Sequence, residues 1–182
     1  MEPKNIPGTV LPETAATGMA GLMHPLLAAG DGLTLGQVCA ITGLEPATVQ
    51  NWIRRGFVAH PIRKKYRTRQ VARILLIAAL RDCLQIDRIG AVMTFVNGDT
   101  EDESDDIVSE EQLYDYFCES VRLLDNCEPD AAIVTVTADY RAPDNESRRR
   151  LILALRVMVN AYRAARYKQI ADRTFHELAG IL

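Results

Sequence analysis

The chain has 182 residues, 48% of them hydrophobic and 25% charged, proportions that suit a packed globular protein. No stretch approaches the roughly 18 apolar residues of a membrane span, so no membrane partner is expected. The formal net charge is −3, yet Leu33–Arg73 holds eight Lys and Arg against the single acid Glu45, so the basic charge is gathered in one place.

Residues 1–32 carry prolines, Glu13 and His24 where a secretory signal would need an unbroken apolar core, and a cytoplasmic location is expected. They read as an N-terminal arm, partly helical over Met19–Ala29, with Pro25 starting or interrupting that helix. Cys39, Cys83, Cys118 and Cys127 are scattered without C-x-x-C spacing, each in an apolar or helical pattern. Small buried thiols behave this way, so neither a disulfide nor a metal site is expected.

From Thr34 the local signals sharpen. Thr34 and Gln37 stand in capping-box spacing, which predicts a helix from Leu35, and Gly43 supplies the left-handed residue that ends it. Leu44 anchors the turn, Pro46 opens a second helix running to Arg55, and Gly56 stops it. Val49, Trp52 and Ile53 form the buried stripe of that helix, leaving Ala47, Thr48, Gln50, Asn51, Arg54 and Arg55 outward. Asn and Gln pair bidentately with adenine, Arg with guanine or phosphate, and Thr with phosphate or a thymine methyl. A short polar helix placed second after a Gly-containing turn is where a recognition helix sits.

Phe57, Val58 and Tyr66 flank a cationic run, and a β-ribbon wing is expected over 59–66. Arg63, Lys64, Lys65 and Arg67 would hold phosphates by displacing counterions, and Tyr66 either packs inward or hydrogen-bonds a phosphate. With Thr34, Thr48, Gln50, Asn51, Arg54 and Arg55 these make the candidate DNA-binding set. Thr68 is expected to cap a helix with Val71, Ile74, Leu75, Ala78 and Ala79 on its apolar face. That helix should end near Leu84, and Ile86, Ile89, Val92 and Met93 mark another.

The order Thr48-Val49-Gln50-Asn51-Trp52, Arg55-Gly56-Phe57-Val58, Pro61, Lys64-Lys65-Tyr66 and Ala72-Arg73-Ile74 resembles the winged helix-turn-helix of the mercury-resistance-regulator (MerR) superfamily. It is most similar to an uncharacterised bacterial family of MerR-like proteins of unknown function. The resemblance covers about residues 33–96, and more loosely Ala161–Ala171. It implies a mainly α, winged helix-turn-helix domain with a small β-ribbon wing, followed by a C-terminal helical region. The superfamily's usual Arg-Tyr-Tyr run is replaced here by Gln50-Asn51-Trp52, and its Gly-Tyr-Arg-x-Tyr wing by Ile62-Arg63-Lys64-Lys65-Tyr66. Lys64 and Tyr66 therefore take wing roles by position, whereas Gln50 and Asn51 take a location.

Residues 97–108 carry Asp99, Glu101, Asp102, Glu103, Asp105 and Asp106 and read as a solvated acidic linker. A calcium loop is the sharper alternative, but Gly98 precedes the acids instead of sitting among them. An acidic tract beside a basic module would also compete with DNA for it. A C-terminal helical region over 109–182 follows, for dimerisation or effector sensing. Ser109 and Gln112 repeat the capping-box spacing ahead of a helix from Glu110 with Leu113, Tyr116, Phe117, Val121 and Leu124 on one face. Ala131–Tyr140 suits a helix or a β-branched strand, and helix is preferred because no partner strand is visible outside the wing. The last helix is expected from Asn145 to Leu178, with Leu151, Ile152, Leu155, Met158, Val159, Tyr162, Ala165 and Ile170 as its stripe, extended by Leu153, Ala154 and Val157. A helix this apolar is central in the core or shared with a second subunit. MerR-type regulators are similar in dimerising through such a helix. Arg148, Arg149 and Arg150 open it, where the helix dipole opposes cations, so they should face the acidic linker or DNA.

The expected function is a DNA-binding transcriptional regulator with helix 46–55 in the major groove and the wing on phosphates, acting on double-stranded DNA as a homodimer. The alternative is a protein-interaction adaptor on the same scaffold. A small-molecule or protein effector would bind the C-terminal region. His24, His60 and His176 stand apart from any Cys, Ser or carboxylate at motif spacing, so no enzyme, catalytic residue, cofactor or metal is expected.

Overall fold

The computed structural model describes residues 5–12, 32–102 and 104–180. Among the described residues seven helices follow one another: α1 Leu35–Thr42, α2 Pro46–Arg54, α3 Thr68–Leu80, α4 Ile86–Asn97, α5 Glu110–Leu123, α6 Pro129–Val136 and α7 Asn145–Ala179. The protein is thus mainly α-helical. The helix expected over Met19–Ala29 lies outside the described residues, as does Glu103.

The capping signals act where they stand. Thr34 Oγ1 accepts from Gln37 N at 3.3 Å while Gln37 Oε1 accepts from Thr34 N at 2.9 Å, so α1 starts at Leu35. Gly43, at φ 69°, closes α1 by donating to Cys39 O. Ser109 Oγ accepts from Gln112 N and starts α5, and Asp144 accepts from Ser147 N at 2.6 Å and starts α7. α3 begins one residue early, at Thr68 itself: Arg67 is the capping residue, its N–H donating to Gln70 Oε1 at 2.7 Å. It also ends at Leu80, short of Leu84. The ambiguous stretch after Pro129 is helical as far as Val136, and the tyrosine beyond it, Tyr140, is buried and donates its hydroxyl to Ile107 O.

One buried core takes side chains from every helix. α3 is its axis, with Val71 to Ile77, Ala79 and Leu80 all buried, and it packs on α5, α7, α4 and α1. The N-terminal hook, residues 5–12, is pinned onto this body. Ile6 is buried, Pro7 O accepts the Tyr114 hydroxyl at 2.7 Å, and Val10 N donates to Ile41 O. Gly8 lies at φ 77° and an added Cβ would come 2.1 Å from Leu75 O, so only glycine allows this approach.

Three expectations need correction. There is no β-ribbon: among the described residues no strand forms, and the 59–66 segment keeps only isolated bridges, Ile62 with Lys65 and Leu33 with Tyr66. The inbound limb has other partners, since Gln70 Nε2 donates to His60 O at 2.5 Å and to Ala59 O at 3.4 Å, and Pro61 has no N–H to offer. The outbound limb pairs with Leu33 instead, through Tyr66 N to Leu33 O at 2.7 Å and Leu33 N to Tyr66 O at 2.9 Å. What remains is a tight hairpin tip, Ile62–Lys65.

The acidic segment is not a free linker. It folds back over the start of α3, where Arg69 donates to Asp102 O at 3.1 Å and to Asp106 Oδ1 at 3.4 Å, with the Arg69 and Asp106 side chains only 13% and 10% exposed. Glu101 accepts from His60 N at 3.1 Å.

None of the arginines opening α7 makes a contact with this segment among the described residues. Arg148 donates to Thr137 O and Tyr140 O just beyond α6, and Arg150 to Phe95 O in the last turn of α4. Arg149 pairs with Glu146. Two of the three cations therefore sit at the carbonyl ends of other helices, where the dipole attracts them, which offsets their poor position on their own helix.

Candidate nucleic-acid interface

α1 and α2 are joined by the short turn at Gly43–Glu45, and burial of Val38, Ile41, Leu44, Val49, Trp52 and Ile53 fixes which side of α2 turns outward. Ala47, Gln50 and Arg54 share one exposed line at i, i+3, i+7 spacing. Thr48, Asn51 and Arg55 form a second line, with Thr48 and Asn51 half-buried. Arg55 is engaged: it pairs with Asp87 at 2.8 Å and lies 4.8 Å from the Phe57 ring centroid.

The hairpin tip stands beside the first of these lines. Its two central residues, Arg63 and Lys64, have φ of 52° and 63°, the left-handed region that Asn or Gly usually fills in a two-residue hairpin loop. Both are exposed. Ile62 N donates to Lys65 O at 3.0 Å and Lys65 N to Ile62 O at 2.9 Å, which closes the loop and forces the cations into that conformation. Non-glycine residues persist there only when the surroundings over-determine them, and such positions cluster at functional sites.

Between α2 and the tip runs an open cleft of about 600 Å³, lined by Ala47, Gln50 and Arg54 on one side and His60, Pro61 and Lys64 on the other. Its walls are apolar at the base and cationic at the rim. Lys65 is half-buried, with Nζ 3.5 Å from Gly32 O. Tyr66 packs inward, and burial pushes its hydroxyl above the usual range. Thr34 is exposed, but its hydroxyl is held by Gln37. Arg67 is exposed.

Two of the eight cations in Leu33–Arg73 are internal. Arg69 is held by the acidic lobe. Arg73 is buried, donating Nε to Phe57 O at 2.7 Å and Nη1 to Glu110, the first residue of α5. Burial pushes the Glu110 carboxyl above its ordinary range despite the opposing pull of Arg73. Asp106 is likewise raised by burial and lowered by Arg69. Glu110 Oε2 and Asn97 Oδ1 are buried without a hydrogen-bond partner among the described residues. The polar positions that sequence reasoning missed are Gln70, which holds the inbound limb, and Asp106 and Glu110, which hold the two arginines. Only Gln70 carried a signal, its place three residues after the cap.

α7 presents a second surface. Its core side is Leu151, Ala154, Leu155, Met158, Val159, Ala161 and Ala165, all buried. On the outside, Leu153, Val157, Asn160, Ala164, Tyr167, Ala171, Thr174 and Leu178 are all exposed and follow one another at alternating spacings of four and three. Beyond Arg166 every described residue of the helix is exposed, including Ile170, which belongs to neither the core nor this line. No described helix is long and apolar enough to cross a membrane. No group of three metal-ligating side chains occurs among the described residues.

Residues 34–117 match a family described as a domain of unknown function, DUF1836. The matched segment runs from the α1 cap into α5, so the Arg69–Asp106 and Arg73–Glu110 pairs both lie inside it. The chain is also 28% identical over 93 residues, 49% of its own length and 40% of the other's, to the uncharacterized protein YkrK of Bacillus subtilis (strain 168). It therefore spans less than half the length of that relative. No solved structure matches the chain. Both matches support an uncharacterised family.

Proposed function

We propose that the protein is a DNA-binding transcriptional regulator of the MerR-like helix-turn-helix type, with α2 in the major groove, the Ile62–Lys65 tip on the phosphate backbone, and two copies acting together. The observation that carries this reading is the pair of exposed cations held in left-handed backbone beside the outward line of α2, Ala47, Gln50 and Arg54. Phosphate contacts set register and supply salt-sensitive affinity, while base edges are read from the helix. Gln50 has the donor and acceptor pair that reads adenine, and Arg54 the fork that reads guanine or grips phosphate. The shortened tip, lacking a ribbon, contributes two cations where a longer wing would contribute more.

A two-fold DNA site calls for a dimer, and the outer line of α7 supports one. Alternating four and three spacing is the seam of a two-stranded coiled coil, and a polar residue within such a seam, here Asn160, fixes register. The reading places the protein in the cytoplasm, on DNA.

Fluorescence polarisation against pooled genomic duplex fragments across a salt series tests the function. Binding should weaken steeply as salt rises, and Arg54→Ala and Lys64→Ala should each weaken it further. Absence of salt-sensitive binding by the full chain would overturn the reading and leave the scaffold as a protein-docking adaptor.

A further inference from the structure

The cleft between α2 and the hairpin tip is cationic only at its rim. Most of the surface that it exposes is apolar: Ala47 is exposed there and Leu35 and Pro61 are half-buried, while Ile53 and Tyr66 close the floor. Arg54 and Lys64 stand on opposite sides, both exposed. His60 shares the wall of Lys64, and its backbone N–H donates to Glu101 at 3.1 Å. Phosphate binding alone needs no apolar floor, since Lys and Arg release counterions wherever they meet the backbone. Apolar surface between two cations matches the edge of a DNA strand, in which phosphates flank the bases and thymine turns a methyl group into the major groove.

Ala47 is the second residue of α2, and Gln50 follows it one turn on along the same exposed line. Recognition helices touch base edges with their N-terminal residues, which is where Ala47 lies. Three residues of helix rise about 4.5 Å and successive bases of a strand lie about 3.4 Å apart, so Ala47 and Gln50 meet adjoining base pairs. The Ala47 side chain has no hydrogen-bonding atom, and the one base feature that it can read is the thymine methyl. An acidic peptide with an apolar anchor would also suit a cationic rim and an apolar floor. It would leave the paired donor and acceptor of Gln50, which match the edge of adenine, without a role.

We propose that Ala47 and the cleft floor beside it receive the 5-methyl group of a thymine adjoining the adenine read by Gln50. Ala47 is then a specificity-determining residue, and each half-site contains two adjoining A·T pairs. The inference rests on the DNA reading of α2 and adds to it the base that the apolar cleft selects.

The test uses the full chain to select duplexes from a random-sequence pool. Each thymine of the selected site is then replaced singly by deoxyuridine, which keeps the pairing and removes only the methyl. Polarisation should show one position at which affinity falls by about fourfold, the worth of one methyl returned to water. Replacing that pair by C·G should weaken binding, and 5-methylcytosine at the same place should regain about fourfold. Ala47→Ser, which the first turn of a helix tolerates, should melt close to the parent and bind the thymine and deoxyuridine duplexes alike. Salt-sensitive binding in which no single thymine responds, or in which the loss spreads evenly over many thymines, overturns the inference and leaves the DNA reading standing. An Ala47→Ser variant that still discriminates against deoxyuridine overturns it in the same way. Absence of salt-sensitive binding to any duplex overturns the DNA reading along with it and leaves the cleft to an acidic peptide.

Discussion

The hairpin tip lends itself to a substitution that separates stability from binding. In Arg63→Asn with Lys64→Gly the two left-handed positions, at φ 52° and 63°, receive the residues that this turn favours. A left-handed side-chain-bearing residue costs roughly 1–2 kcal/mol. Asn recovers part of that, and Gly recovers most of it but adds unfolded-state freedom worth about 0.4–1 kcal/mol. The net gain is about 1–2 kcal/mol, or roughly 2–8 °C in Tm for a chain of this size. Because both side chains are exposed and make no contact that the fold needs, nothing should offset it. The same change removes two cations. If both lie on phosphates, the slope of log K against log salt should become shallower by about 1.8 per subunit. Urea titration gives the first number and polarisation across salt the second. A destabilised double variant would refute the strain argument, and an unchanged salt slope would show that the tip does not touch the backbone.

Arg73→Met should destabilise by about 3–5 kcal/mol, because it leaves Glu110 buried without its cation, as urea titration would show. The pH dependence of Glu110 has a definite sign. Its folded pKa stands above the unfolded one, so its contribution is complete below the unfolded value and is lost as pH rises through the folded value. Glu110→Gln should flatten that arm of the stability curve, and an unaltered profile would assign it elsewhere. Gly8→Ala puts a Cβ 2.1 Å from Leu75 O at φ 77°, which should cost about 2 kcal/mol or more and lower Tm by roughly 4–8 °C. Val157→Glu with Tyr167→Glu, both on the exposed line of α7, should convert a dimer to a monomer in light scattering while leaving the helical signal intact; a parent that is already monomeric would remove the coiled-coil reading.

Where the sequence was legible, the signals were local. Thr34 with Gln37, Gly43, Pro46, and Ser109 with Gln112 each set an element boundary through bonds spanning four residues or fewer, and those boundaries stand within a residue of expectation. The buried stripe of α2 followed from spacing alone. What was not legible depended on distant partners. The β-ribbon was lost to Gln70, an amide on the next helix that no pattern in 59–66 announces. Arg69 and Arg73 counted towards the gathered basic charge, although not among the DNA-binding candidates, because their acids, Asp106 and Glu110, each lie 37 residues further on. On α7 the two faces were merged into one broad stripe, since Leu153 and Val157 were counted with Leu151 and Leu155. The alternating spacing of the outer line was present in the sequence but hidden by an apolar helix surface nearly all round.

The same sorting changes the size of the electrostatic footprint. Eight Lys and Arg between Leu33 and Arg73 would, if all met phosphates, give a salt slope of about 7 per subunit. Arg69 and Arg73 tie the module to α5 and the acidic lobe, Arg55 is shared with Asp87, and Lys65 is half-buried. Arg54, Arg63, Lys64 and Arg67 remain exposed, which brings the slope down to about 3.6 per subunit. The acidic lobe then has two opposed effects. Through Arg69 and His60 it orders the segment leading to the tip, while its exposed carboxylates Glu101, Asp102 and Asp105 repel the backbone that the tip would hold. Neutralising those three to amides keeps the carbonyl and Asp106 contacts to Arg69, so it should raise DNA affinity without loosening the fold. Deleting the lobe should unseat Arg69 and cost stability. A competing linker without a structural role would raise affinity in both cases and leave stability untouched.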